Sequence, residues 1–187
     1  MTKFNIITIL LFTLTLLSCS KKTNLQKEFL CETESFSNTE EVIDFKNKFK
    51  VTLPKKWKTQ LYFDNLQTQI MTADTTKNLT NTYTLIFEYN SGNLQVNDEF
   101  KKEELNNLKE SNLQVLKNKI DIFNDKPCIW FVSKGKKLTY DYYYFELFIK
   151  QNKNHYFKIS TDIYGDKNID KRFCESIALM ETLKILD

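Results

Sequence analysis

Apolar residues recur along this chain in two periods. In Phe49-Lys50-Val51-Thr52-Leu53 they alternate with polar ones, the period of a half-buried strand that Pro54 ends. Leu61–Phe63 and Gln67–Ala73 read as further strands around Asp64-Asn65. Thr82–Tyr89 is a stronger one, with Tyr83, Leu85, Phe87 and Tyr89 on one face before the turn residues Asn90–Asn93. The period then lengthens. Asn97 or Asp98 can cap a helix over Asn97–Leu116, with Glu99, Glu103 and Glu104 placed to complement its dipole and Phe100, Leu105, Leu108, Val115 and Leu116 as its apolar stripe. Strands are expected again at Lys119–Phe123, Cys128–Ser133, Leu138–Lys150 and His155–Ile163. Their breaks are Asn124–Pro127, Lys134-Gly135-Lys136 and Gln151–Asn154. Ile169, Phe173, Ile177, Met180 and Leu183 return at helical spacing, which predicts a last helix over Ile169–Leu186.

Strands joined by hairpin turns and interrupted once by a helix imply an antiparallel sheet with helices packed on it, an α+β domain. The domain is expected over residues 45–187. Before it, Ser20–Asn38 is polar and aperiodic and reads as a tether, with a helical turn around Leu25–Leu30. Thr39-Glu40-Glu41 is read as the cap of a short helix running into Asp44.

The first residues follow neither period. Phe4–Leu17 is apolar but for Asn5, Thr8, Thr13 and Thr15, and it follows Lys3. It falls short of the roughly 20 residues a spanning helix needs and has the layout of a secretory signal. Leu16-Leu17-Ser18-Cys19 resembles the lipobox of bacterial lipoproteins. That resemblance implies cleavage after residue 18, a diacylglycerol on the Cys19 thiol and acylation of the new amino group with a chain such as palmitate. It divides the chain into a signal at 1–18, a lipidated cysteine and tether at 19–44, and the domain. It also implies a cell-envelope or periplasmic location and the membrane as a partner. Ser20 stands where an inner-membrane retention signal would carry aspartate, so the outer membrane is favoured.

Removing 18 of 187 residues leaves 169, enough for one core. Without Lys3, 26 basic residues face 24 acidic ones, a net charge of +2 spread among acids, which is no footprint for nucleic acid. With Cys19 lipidated, three cysteines remain, so at most one bridge closes within the chain. Cys128–Cys174, from sheet to helix, and Cys31–Cys174, pinning the tether, are the alternatives to buried free thiols.

The opening Phe49–Trp57, the central helix followed by Ile122–Val132 with its Pro-Cys, and the Tyr-rich hairpin before a C-terminal helix together resemble the PsbP-like fold. Photosystem II extrinsic proteins and bacterial lipoproteins share that fold. The resemblance implies an α/β/α sandwich over about Phe45–Leu186, and a binding or assembly module with a protein partner in the envelope rather than an enzyme. It carries over no metal or cofactor.

Tyr140, Tyr142 and Tyr144 share one face of a strand and are the candidate binding surface, for a protein or, alternatively, for a small ligand or glycan. A hydrolase is the third reading. Asp141, Glu146, Asp162 and Asp166 fall near the last strands, but no spacing pairs two of them. His155 is the one histidine and cannot build a multi-histidine site. The glycines at 92, 135 and 165 form no phosphate loop, and G-x-S-x-G does not occur.

Overall fold

The computed structural model describes residues 22–32 and 34–186. Its central element is a seven-stranded antiparallel sheet. The strands are β3 (Lys58–Phe63), β4 (Gln67–Ala73), β5 (Tyr83–Ser91), β6 (Gln114–Phe123), β7 (Lys126–Lys137), β8 (Tyr140–Lys150) and β9 (His155–Tyr164), in the order β3-β4-β5-β9-β8-β7-β6. A smaller antiparallel sheet orders β1 (Thr39–Ile43), β2 (Phe49–Pro54) and β10 (Lys184–Ile185) as β1-β2-β10. The described residues also form the α-helices α1 (Asn24–Glu28), α2 (Asp98–Glu110) and α3 (Ile169–Met180) and a 3-10 turn at Leu79–Asn81. The α+β class expected from the alternation is the one observed.

Strand alternation gives the large sheet two apolar faces. One buries Leu85, Phe87, Phe145, Leu147, Phe157 and Trp130 under α3, α1 and β2. Phe49 of β2 meets Phe157 of β9 edge-on at 5.4 Å, which fixes one sheet on the other. The opposite face buries Ile129, Phe131 and Phe148 under α2, whose Phe100 stands edge-on to Phe148 at 5.1 Å. Asp44 closes the β1–β2 turn. Its buried carboxylate accepts from the amides of Lys46, Lys48 and Phe49 and from the Thr68 hydroxyl of β4, so this buried charge is fully hydrogen-bonded.

Several expected boundaries move. Helix α2 ends at Glu110, not Leu116. Asn112 turns left-handed at φ 58°, the amide of Leu113 donates to the carbonyl of Leu108, and that of Asn112 donates to Lys109. This is a Schellman stop with asparagine in place of glycine, and it releases Gln114–Leu116 to start β6. Lys134-Gly135-Lys136 is not a turn. Strand β7 runs through it to Lys137, and a Cβ on Gly135 would stand 2.7 Å from Leu113 Cδ2, so the strand needs glycine where the end of α2 crosses it. The loop is Leu138-Thr139. Thr39-Glu40-Glu41 begins β1, which pairs with β2 from Thr39↔Pro54 to Ile43↔Lys50, rather than a helix. Helix α3 ends at Met180, and Lys184–Ile185 joins β2 as a strand instead of prolonging the helix.

The largest correction concerns the tether. Leu25 and Cys31 are core residues. The Thr23 hydroxyl accepts from the Gln26 amide and the Gln26 side chain returns to Thr23, a capping box that starts α1. Leu30 then turns left-handed at φ 55°, and the Cys31 amide donates to the Gln26 carbonyl. That turn aims the Cys31 side chain back into the fold. Residues from Thr23 onward therefore pack with the domain rather than standing apart from it. Among the described residues, no helix is long and apolar enough to cross a membrane.

Candidate functional site

The tyrosine strip of β8 is not a continuous exposed platform. Tyr140, at the β7–β8 turn, is 40 % exposed, whereas Tyr142 two residues on is 5 % exposed. The Tyr142 ring stacks on Tyr144 at 6.2 Å and 15° and packs against Tyr164 of β9 at 5.2 Å. Its hydroxyl donates to the Asp162 carboxylate. The Lys137 ammonium lies 4.7 Å above the same ring and 3.7 Å from Asp162 Oδ1. Ring, phenol, lysine and carboxylate thus satisfy one another. Burial, and then the Asp162 contact, push the Tyr142 phenol well above the ordinary range, and burial pushes Tyr144 the same way. Tyr144 packs into the cluster beneath α2. Tyr140 alone opens onto a cleft of about 270 Å³, together with Thr80, Thr139, Asp141, Asp166 and Lys167.

The acids of the last strands go separate ways. Asp141 pairs with Lys136 at 3.0 Å, and Asp162 serves Tyr142. Glu146 points to the α2 face and is 1 % exposed. Its Oε2 is 3.2 Å from the Lys158 ammonium, while Oε1 has no hydrogen-bond partner. Desolvation, reinforced by Glu104 of α2, pushes the Glu146 carboxyl up to about 7 against the pull of Lys158. Among the described residues, no group of three or more His, Cys, Asp or Glu side chains is placed to hold a metal. His155 stacks flat on Tyr89 at 5.1 Å and 10°.

The disulfide joins Cys31 to Cys174. Cys128 is free and buried, so the Cys128–Cys174 pairing is corrected. Cys128 lies in the core on β7, and Cys174 of α3 meets Cys31 in the turn after α1 instead. Burial drives the Cys128 thiol up to about 12, which leaves it inert as a nucleophile. Cys19 and its lipobox lie outside the described residues.

The surface that sequence reasoning passed over is the other end of the large sheet. Strand β3 is its terminal strand, with one backbone edge unpaired by the sheet. Leu61, Tyr62 and Phe63 are each about half exposed, and Leu66 in the following turn is 69 % exposed. Phe45 of the β1–β2 turn stacks on Phe63 with centroids 4.0 Å apart and planes 6° apart, yet it is itself 58 % exposed. Asp64 shapes the turn by accepting from the amides of Leu66 and Gln67, and those bonds hold its carboxyl below the usual range. On the opposite face of β3, Lys58, Gln60, Met71 and Thr84 line a groove of about 160 Å³. The signal was present in the sequence. Three consecutive large apolar residues cannot all face one core from one strand.

No protein-family model matches the chain, and no curated protein matches it. Solved structures do. The Saccharomyces cerevisiae Ran-binding protein Mog1p aligns over 80 % of this chain and 96 % of its own, at 11 % identity and a TM-score of 0.53. Cyanobacterial PsbP from Synechocystis sp. PCC 6803 aligns over 83 % and 96 %, at 8 % identity and 0.52. LpqN of Mycobacterium tuberculosis, described as involved in cell envelope biogenesis, aligns over 80 % and 91 %, at 10 % identity and 0.51. The chain spans 49 % of a Bacteroides thetaiotaomicron structure that it also resembles, at 11 % identity and 0.52. At such identities the likeness is one of fold. The PsbP-like architecture implied by the strand-Pro-x-x-Trp opening is the one the chain adopts.

Proposed function

We propose that this chain is a lipid-anchored protein of the bacterial envelope that acts as a non-enzymatic binding or assembly module, docking a protein partner on the β3 edge. The observation that carries this reading is the aromatic edge itself. Phe45, Leu61, Phe63 and Leu66 expose large apolar surface beside a strand edge the sheet leaves open. Withdrawing the half of each such side chain that is still exposed is worth about 1 kcal/mol, and an open strand edge adds backbone hydrogen bonds to an incoming segment. Fold neighbours that bind a protein or serve the envelope are consistent with it. The hydrogen-bonded, ion-paired state of Tyr142 counts against a glycan platform on β8. The burial of Glu146, apart from the other acids, counts against a hydrolase. The lipobox supports anchoring through Cys19.

The test is affinity capture from the native envelope by the full lipidated chain, in parallel with a Leu61→Asp/Phe63→Asp variant. Proteins retained by the parent and lost from an equally stable variant are expected. Identical retention by both overturns the docking edge.

A further inference from the structure

We propose that the end of the β6–β7 hairpin, carrying Ile120 and Ile122, rests in the lipid interface, so that the domain lies against the bilayer instead of hanging from it. The proposal deepens the lipid-anchored reading and rests on it. Strand β6 is the edge of the large sheet opposite β3. Its Lys117, Lys119 and Asp121 face α1: Glu28 bridges Lys117 at 2.7 Å and Lys119 at 3.0 Å, and Asn24 Nδ2 donates to Asp121 Oδ1 at 2.8 Å. The residues between and beyond them must point the other way. Ile120 is 41 % and Ile122 51 % exposed, and Ile122 is paired across the hairpin with exposed Pro127.

Helix α1 thus clamps the start of the folded chain to this hairpin. Only four residues separate Cys19 from Asn24, and the five links between them span at most about 18 Å when fully extended. A lipid on Cys19 therefore keeps Asn24, and through their hydrogen bond Asp121 with its two isoleucine neighbours, close to the headgroups. The chain length and its point of entry favour the bilayer over a protein as the occupant of this apolar edge. Apolar side chains at such an edge add burial in the acyl boundary to the hold of the anchor. The same placement turns the β3 edge, at the far end of the seven-stranded sheet, toward the aqueous side, where a partner reaches it.

The test uses the full lipidated chain in vesicles of phosphatidylethanolamine and phosphatidylglycerol, with a nitroxide on an Ile122→Cys or, separately, a Tyr62→Cys variant. Cys31 and Cys174 are bridged and Cys128 is buried, so the introduced thiol is the one labelled. At position 122 the label is expected to lose access to a water-soluble nickel chelate while keeping access to oxygen, and at position 62 to remain open to the chelate. Equal chelate access at both positions overturns the proposal, as does spin–spin broadening at 122, which would place a second copy there. The intact mass of the same preparation separates the two claims. A diacylglyceryl Cys19 with a water-exposed label 122 sinks the docked orientation alone, and an unmodified Cys19 sinks the anchor and the orientation with it.

Discussion

Cys31 and Cys174 are joined across 143 residues of sequence, with their Cα atoms 5.3 Å apart, where the turn after α1 meets α3. The bond closes almost the whole domain into one loop and makes the N-terminal segment part of the core. Cross-linking so long a loop stabilises chiefly by restricting the unfolded chain, and loss of a native bridge costs about 2–5 kcal/mol. The Cys31→Ser/Cys174→Ser variant is expected to lose that much unfolding free energy in urea denaturation, and reductant is expected to shift the parent but not the variant. The Cys128 thiol should react with a thiol reagent only once urea has unfolded the chain.

Arg172 holds the start of α3 from within the protein. Its guanidinium donates to the backbone carbonyls of Thr82, Tyr164, Gly165 and Lys167, so one side chain ties the entry to β5, the end of β9 and the loop before α3 together. Hydrogen bonds to a charged group contribute about 1.5–3 kcal/mol each in favourable cases, less the cost of burying the charge. Arg172→Met is expected to lower stability by about 2–4 kcal/mol, because four carbonyls lose their donor, that of Thr82 in a buried place and the others partly buried. Arg172→Lys should recover only part of this, since an ammonium cannot span the same fork. Chemical denaturation of the three proteins checks the order.

Glu146 gives the domain a pH dependence of unusual sign for a carboxyl. Its native acidity, near 7, lies above the ordinary 4.5, so the folded state holds the proton more tightly than the unfolded one. Its contribution is therefore fully present below about pH 4.5, declines as pH rises toward 7, and is lost above that, by no more than about 3 kcal/mol. Burial also raises Glu88, Glu175 and Glu181, which act in the same direction. Thermal midpoints of the parent should fall between pH 5 and 8, and Glu146→Gln should flatten the fall. A parent midpoint that rises over this range contradicts the assignment.

The sheet and both long helices were legible because period-two and period-3.6 patterns survive wherever one face is buried and the other is wet. Phe49–Leu53, Thr82–Tyr89 and Ile169–Met180 all belong to this class. The errors fell where backbone geometry, not hydropathy, decides. Asn112 and Leu30 adopt left-handed turns that end helices and redirect the chain, and Gly135 lies inside a strand because another segment crosses over it. The N-terminal segment carries no legible period because α1 is only five residues long and buries little beyond Leu25, while the bridge partner that fixes it lies 143 residues away. The tyrosine strip was placed on the correct strand. What alternation could not show was Lys137 folding over the Tyr142 ring and Asp162 accepting its phenol, which engage the groups meant for a ligand.

The central claim is that the β3 edge meets a protein in the envelope, and site-specific photocrosslinking tests it most directly. A photoreactive amino acid is placed at Tyr62 in the full lipidated chain, with Lys102 on the far side of α2 as the control position. Irradiation of whole cells is expected to yield a discrete adduct at Tyr62 that is absent at Lys102 and abolished by Phe63→Asp. Adducts that are equal at both positions, or that persist in the Phe63→Asp variant, contradict the account.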